Sequence, residues 1–164
     1  MSKGRAFLVV GHKNWGKSTT LKALTDDSRH PRRWTIDSIE FFIRRMSNDD
    51  FPDSLRDFIN SLDPDVLPRV IATLCPTFND KQSLPLLLDV LATLKRKYDV
   101  FFFVLRHKCK NPKDTIPDDE IEKLERYGTV EVFGTEGAEP PTIARAFKRF
   151  VKQYAQSPRE IWKR

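Results

Sequence analysis

The amino-acid sequence predicts an α/β domain with a mainly parallel sheet and helices on both faces. Apolar segments of strand length alternate along the chain with amphipathic segments of helical period, as in strands joined by crossover helices. Two apolar segments, residues 6–10 (AFLVV) and 99–105 (DVFFFVL), are almost continuously hydrophobic. Strands of this kind lie inside a sheet that is covered on both faces. We therefore expect three layers, with a five-stranded sheet in the middle.

The individual elements follow from the same periodicities and from proline and aspartate at their ends. Strands are predicted at residues 6–10, 34–43 (one interrupted strand or two short ones), 69–75, 99–105 and 129–133. Helices are predicted at residues 17–24, 54–62, 84–97, 118–127 and 142–154. The sequence contains no internal repeat. We predict a single domain over residues 1–156 and a basic C-terminal tail over residues 157–164.

Composition and charge narrow the classes of function. The net charge is +6, from 29 Lys and Arg against 23 Asp and Glu, which suits a nucleotide, a nucleic acid or a phosphorylated substrate, and equally a basic surface without a specific ligand. No apolar run approaches the roughly 20 residues that span a bilayer, so we expect no membrane partner. The two cysteines, Cys75 and Cys109, form no CxxC motif, which argues against a disulfide framework or a zinc site and favours a cytoplasmic protein.

The segment GHKNWGKST lies between the first predicted strand and the first predicted helix, and it matches the phosphate-binding pattern G-x-x-x-x-G-K-[ST]. In this context the loop N–H groups and the positive end of the helix surround a β-phosphate. Lys17 would neutralise the β- and γ-phosphates, and the Ser18 hydroxyl would join the Mg²⁺ shell. The predicted cofactors are ATP, or another nucleoside triphosphate, and Mg²⁺. The predicted binding residues are Gly11, His12, Lys13, Asn14, Trp15, Gly16, Lys17, Ser18 and Thr19.

Two residues of this segment are unusual for the pattern. Asn14 stands where glycine is common, and asparagine tolerates left-handed backbone angles. Trp15 has two interpretations: a hydrophobic lid over a base or a neighbouring loop, or a cover for local apolar surface.

A triphosphate bound in this way has three candidate uses: a GTPase switch, a motor or hydrolase, and a kinase. The D-x-x-G and N-K-x-D motifs of GTPases are absent from the sequence. A motor ATPase carries an acidic pair at the end of a neighbouring strand, whereas residues 69–75 end in Cys-Pro-Thr with no acid until Asp80. Both of these uses are therefore disfavoured.

Residues 47–50 (SNDD) follow the second strand region and would face the phosphate from the carboxyl end of the sheet. With the glycine-rich motif, this pair resembles the small P-loop kinases of the polynucleotide-kinase and zeta-toxin type, within the P-loop NTPase superfamily. The resemblance implies that Asp49 is the general base on an acceptor hydroxyl and that Asp50 helps to hold Mg²⁺. The sequence departs from the family at Asn14 and at Phe51, where a basic residue is often found. The alternative for the pair is a turn ahead of the next helix.

Two basic segments are further candidates. Arg106, Lys108 and Lys110 follow the strand at residues 99–105 and would form a lid that clamps phosphates, or else a solvated loop. Residues 29–33, with Arg44, Arg45 and Trp34, would form a groove for a nucleic-acid end, or else belong to the core and the surface.

The sequence thus predicts an enzyme: a Mg²⁺-dependent phosphotransferase that acts on a hydroxyl of a nucleotide, a nucleic-acid end or a small metabolite. Its predicted catalytic residues are Lys17, Asp49 and Arg106, and its predicted metal ligands are Ser18 and Asp50. The alternative is a regulatory module that binds or hydrolyses a nucleoside triphosphate and signals to a partner protein.

Overall fold

The computed structural model describes residues 3–12, 15–25, 33–44, 52–108, 111–134 and 139–155. Its strands are β1 (Gly4–Val10), β2 (Arg33–Ile36), β3 (Ile39–Ile43), β4 (Arg69–Leu74), β5 (Tyr98–Leu105), β6 (His107–Lys108), β7 (Asn111–Thr115) and β8 (Thr129–Phe133). Its helices are α1 (Lys17–Leu24), α2 (Pro52–Ser61), α3 (Leu84–Lys97), α4 (Asp118–Glu125) and α5 (Pro140–Tyr154). The predicted α/β class is confirmed.

The main sheet has six strands in the order β2-β3-β4-β1-β5-β8, not the five predicted. Five of them are parallel, and β2 pairs with β3 in the antiparallel direction. The additional strand arises because the region at residues 34–43 is a hairpin, which was one of the two alternatives. Its two turn residues, Asp37 and Ser38, have φ angles of 51° and 67°. Such angles match the type of two-residue turn that joins twisted strands.

The geometry of this turn predicts an effect on stability. A serine at positive φ has a conformational free-energy cost that a glycine does not have. We expect Ser38→Gly to stabilise the protein by about 0.5–1 kcal/mol. Urea unfolding measures the change. Thr35→Gly, in the adjacent strand, serves as the control and is expected to destabilise. A Ser38→Gly variant less stable than the wild-type protein would contradict the turn geometry.

Helices cover the sheet on both faces and enclose two buried clusters. Side chains of α2, α3 and α4, such as Leu55, Leu91 and Leu124, pack on one face. Side chains of α1 and α5, such as Leu21 and Phe147, pack on the other. The three-layer prediction is confirmed at this level. Strand β1 is central and almost fully buried because its residues are apolar on both faces.

The register brings the carboxyl ends of three strands to one edge of the sheet. Val10, the last residue of β1, lies opposite Leu74 at the end of β4 and Val104 near the end of β5. The segments that follow these strands therefore begin beside one another. Ligands of open parallel sheets bind at this edge.

The basic segment after β5 differs from its prediction as a loop. Strands β6 and β7 form a separate two-stranded antiparallel sheet with an irregularity between His107 and Lys108. The segment lacks the alternation of apolar and polar residues that identifies a hairpin in a sequence, since it is mainly basic and contains Pro112.

Several predicted features lie outside the described residues. They are Lys13 and Asn14 of the glycine-rich segment, the Asp49-Asp50 pair, Arg45, Lys110, most of the basic group at residues 29–33, and the tail at residues 157–164. The division into a domain and a tail stays a prediction. Within the part of the chain that the structure describes, no helix has the length and apolar character to cross a bilayer.

Candidate phosphate-binding site

The connection between β1 and α1 begins at Gly11 and ends at Gly16. The Gly11 N–H donates to the Leu74 carbonyl at 3.0 Å, which fixes the start of the connection to β4. Gly16, which precedes α1, has a φ of 94°. A residue with a side chain is strained at this angle, so the sequence pattern needs glycine at position 16.

Lys17 is the first residue of α1, and only 7% of its surface is exposed. Its Nζ donates to the His12 carbonyl at 2.9 Å. The same carbonyl accepts the Trp15 N–H at 3.2 Å. The connection therefore holds a buried ammonium group beside the first turn of the helix.

The first turn of α1 begins directly after Gly16. Gly16 supplies no side chain, and within the described part of the chain neither a side-chain cap nor an acidic first-turn residue is present. Ser18 and Thr19 are exposed. N–H groups in a first turn lack acceptors inside the helix and carry partial positive charge. The partial charges of these donors and the charge of the Lys17 ammonium both favour a negative group nearby.

The structure decides between the two interpretations of Trp15. Its ring is 6% exposed and belongs to the buried cluster on the face covered by α2, α3 and α4. It also meets the His12 ring edge to face, with 5.1 Å between the ring centroids. Trp15 therefore covers local apolar surface, and its packing holds the connection against this cluster.

One contact at the site was not foreseen from the sequence. The His12 Nδ1 lies 3.6 Å from the Sγ of Cys75, a buried cysteine directly after β4. Two residues further along the chain, the Thr77 hydroxyl is buried and has no hydrogen-bond partner among the described residues. His12 and Cys75 are distant in sequence and meet because β1 and β4 are neighbours. Only knowledge of the strand order would have revealed this contact.

Arg106 lies at the same edge of the sheet, directly after β5. Its guanidinium pairs with Asp118 at the start of α4 at 2.7 Å, and its N–H donates to the Phe133 carbonyl at 3.0 Å. These contacts join β5, β8 and α4. The catalytic role of Arg106 stays a prediction.

The structure does not bring Arg44 and Trp34 together as one groove. The Arg44 guanidinium donates to Ser54 at 2.9 Å and lies 4.9 Å from the centroid of the Phe58 ring, on the face covered by α2. Burial lowers the pKa of Arg44. Trp34 packs against the cluster on the opposite face. Arg44 and Trp34 therefore lie on opposite faces of the sheet and do not line one nucleic-acid groove.

Metal binding has no support in the part of the chain that the structure describes. No group of three or more His, Cys, Asp and Glu side chains is placed there to hold an ion. Strand β4 is followed by Cys75, Pro76 and Thr77, so it contributes no carboxylate at the edge beside β1. Of the two predicted metal ligands, Ser18 is exposed and Asp50 lies outside the described residues.

Comparison with known proteins finds little similarity to this chain. No family model matches the chain, and no curated protein matches it. A solved structure similar to it is that of a diflavin flavoprotein A3 from Nostoc sp., which is 10% identical. The alignment covers 93% of this chain and 96% of that chain, with a TM-score of 0.39. A likeness at this level gives no argument for flavin binding.

These comparisons correct the resemblance to polynucleotide-kinase and zeta-toxin enzymes of the P-loop NTPase superfamily. The similar solved structure is a flavoprotein and not a P-loop kinase, and neither family models nor curated proteins support the assignment. The predicted ATP, Mg²⁺, kinase activity and nucleoside triphosphate-dependent signalling are corrected with it. The physical reason for the error is that a short glycine-lysine motif specifies a local turn, whereas a family assignment depends on the whole chain.

Proposed function

We propose that this protein binds a phosphate-bearing ligand and that the connection between β1 and α1, together with the first turn of α1, holds the phosphate group. The observation that carries this proposal is the buried Lys17 ammonium beside the uncapped first turn of α1. Both features favour negative charge at the same place.

The energetics favour an anion over a neutral ligand. A helix N-terminus contributes about 0.3–1 kcal/mol toward a nearby negative charge, and about 2 kcal/mol where the site is partly buried. The attraction of a buried ammonium is larger than that of an exposed one because water screens it less. A neutral ligand gains from neither term.

The form of the connection favours phosphate among anions. Gly16, with a φ of 94°, turns the chain directly before the first turn of α1, whose N–H groups lack acceptors inside the helix. A phosphate presents several oxygens to such donors, and helix N-termini after glycine-rich turns are suited to it. The net charge of +6 also supports an anionic ligand.

The organic part of the ligand is left open. ATP, Mg²⁺ and phosphoryl transfer are not part of this proposal, because they belong to the corrected family assignment. The proposal includes the cytoplasmic location that the cysteine content predicts. An enzymatic use of the ligand and a protein partner stay predictions.

Matched pairs of ligands test the proposal. Riboflavin would be compared with riboflavin 5′-phosphate, and adenosine with adenosine 5′-diphosphate, by isothermal titration calorimetry. We expect at least one phosphorylated compound to bind more tightly than its unphosphorylated partner. Lys17→Met should weaken that binding by about tenfold or more, since a charge-assisted hydrogen bond is lost.

Lys22→Met is the matched control, because Lys22 is an exposed lysine of the same helix. We expect its affinity to equal that of the wild-type protein. Equal binding of the phosphorylated and unphosphorylated compounds would contradict the proposal, and so would unchanged affinity in Lys17→Met.

A further inference from the structure

A pocket of about 330 Å³ lies between β8 and α5. Its lining includes three aromatic residues, Phe103, Phe133 and Phe150, and three charged residues, Glu131, Arg145 and Arg149. None of these belongs to the connection between β1 and α1. The pocket is thus a separate site, and its volume is at the lower end of the range for small-molecule sites, about 300–1,000 Å³.

The floor of the pocket is aromatic and fixed. The Phe103 ring stacks on Phe133 at 5.5 Å and lies 5.5 Å from Phe150. Phe103 and Phe150 are 1% and 2% exposed, so the core holds their rings in place. Phe133 is only partly buried and offers a ring to a ligand. A flat apolar group can pack there by an offset-stacked or edge-to-face contact.

The helix wall of the pocket carries two guanidinium groups. Arg145 and Arg149 are both exposed and lie one helical turn apart on α5. The Arg145 Nη2 donates to the Thr142 hydroxyl at 3.2 Å. Arg149 makes no hydrogen bond or ion pair to any residue that the structure describes. Like charges at this spacing repel each other, so an anion between them is favoured.

The strand wall carries the opposite charge. Glu131 lines the pocket from β8, so the three charged side chains sum to one positive charge. A negative group on a ligand would be repelled from β8 and attracted to α5. The lining therefore fixes the orientation of the ligand as well as its charge.

We propose that this pocket binds a small planar aromatic carboxylate. Its ring would lie against Phe133, and its carboxylate would pair with Arg149 and Arg145. A guanidinium matches a carboxylate because its parallel N–H donors meet both oxygens. The opposed Glu131 disfavours a ligand of higher negative charge, and the aromatic floor disfavours a fully polar one. This site is independent of the phosphate site.

Three related compounds test the proposal: indole-3-acetate, indole and tryptamine, which carry a negative, a neutral and a positive side group. Titrations followed by calorimetry and by ¹H–¹³C NMR of the aromatic rings would give affinity and location. We expect indole-3-acetate to bind most tightly and to shift the Phe133 ring resonances. Arg149→Met should weaken its binding by about fivefold or more. Glu131→Gln should strengthen it, because a repulsion is removed.

Lys148→Met is the control, since Lys148 neighbours Arg149 in sequence but does not line the pocket. It should bind indole-3-acetate as the wild-type protein does. Circular dichroism melting curves would confirm that each variant is folded. Three results would each overturn the proposal: no binding of indole-3-acetate, binding no tighter than that of tryptamine, or equal affinity in folded Arg149→Met. Shifts confined to residues outside the pocket would overturn it as well.

Discussion

Gly128→Ala is expected to destabilise the protein by about 3 kcal/mol or more, because overpacking against a rigid backbone cannot relax. A Cβ at this position would lie 2.2 Å from the Val100 carbonyl oxygen and 2.8 Å from its carbonyl carbon. Val100 belongs to β5, whose neighbours β1 and β8 hold it in the sheet. Relief of the clash would require β8 to move away from β5. Urea unfolding followed by circular dichroism measures the loss.

The control for this prediction is Gly134→Ala at the other end of β8. A Cβ on Gly134 meets no atom within 4 Å, and its φ angle is not in the positive region. We expect its free energy of unfolding to change by less than about 0.5 kcal/mol. Similar losses of unfolding free energy in the two variants would contradict the close approach of Gly128 to β5.

The substitution Glu120→Gln is expected to become more favourable for stability as the pH rises. The free energy of unfolding of the variant, measured against that of the wild-type protein, should be higher at pH 8 than at pH 4.5. Glu120 is 2% exposed, and its Oε1 accepts a hydrogen bond from Asn79 at 2.7 Å. Its Oε2 is buried and has no hydrogen-bond partner in the part of the chain that the structure describes. Burial, and secondarily the charge of Asp119, raises the pKa of the Glu120 carboxyl. The folded state therefore favours the neutral acid.

The direction of the pH effect follows from that raised pKa. Below the pKa of the unfolded state, Glu120 is neutral in both states and the folded protein bears no charged-group penalty. As the pH rises through the folded-state pKa, the carboxylate becomes charged in a buried site and stability is lost. Glutamine does not titrate, so this loss is absent in the variant. A buried unsatisfied polar group costs about 1–3 kcal/mol, which sets the scale of the difference.

Urea unfolding at pH 4.5 and pH 8 measures this effect, with Glu122→Gln as the control. Glu122 is exposed on the same helix. We expect the difference between wild-type protein and Glu120→Gln to grow with pH, and to grow more than the difference for Glu122→Gln. A constant difference for Glu120→Gln would contradict the buried, neutral carboxyl.

Most of the fold could be predicted because its signals are local. The bounds of α1, α3 and β8 agree with the sequence periodicity, which amphipathic helices and buried strands impose directly. The hairpin at Asp37 and Ser38 was ambiguous because neither residue is glycine or asparagine, the usual residues at positive φ. The small sheet of β6 and β7 was missed because its strands have no apolar pattern.

The candidate site could be predicted only where its residues are neighbours in sequence. Gly16 and Lys17 followed from a contiguous motif, and the structure places both at the start of α1. The contact of His12 with Cys75 depends on the pairing of β1 with β4, which no local pattern encodes. The role of Trp15 could not be predicted, because a tryptophan in this segment is equally compatible with a buried side chain and with a lid. The family resemblance was wrong because it extended a local motif to a whole protein.

Titration with inorganic pyrophosphate, followed by ¹H–¹⁵N NMR, tests the central claim most directly. Pyrophosphate has no organic part, so its binding depends on the phosphate site alone. We predict saturable shifts of the backbone amides of Lys17, Ser18 and Thr19, with weaker binding in Lys17→Met and unchanged binding in Lys22→Met. Absence of shifts at these three amides, or equal binding in Lys17→Met and the wild-type protein, would contradict the assignment of residues 11–19 as a phosphate site.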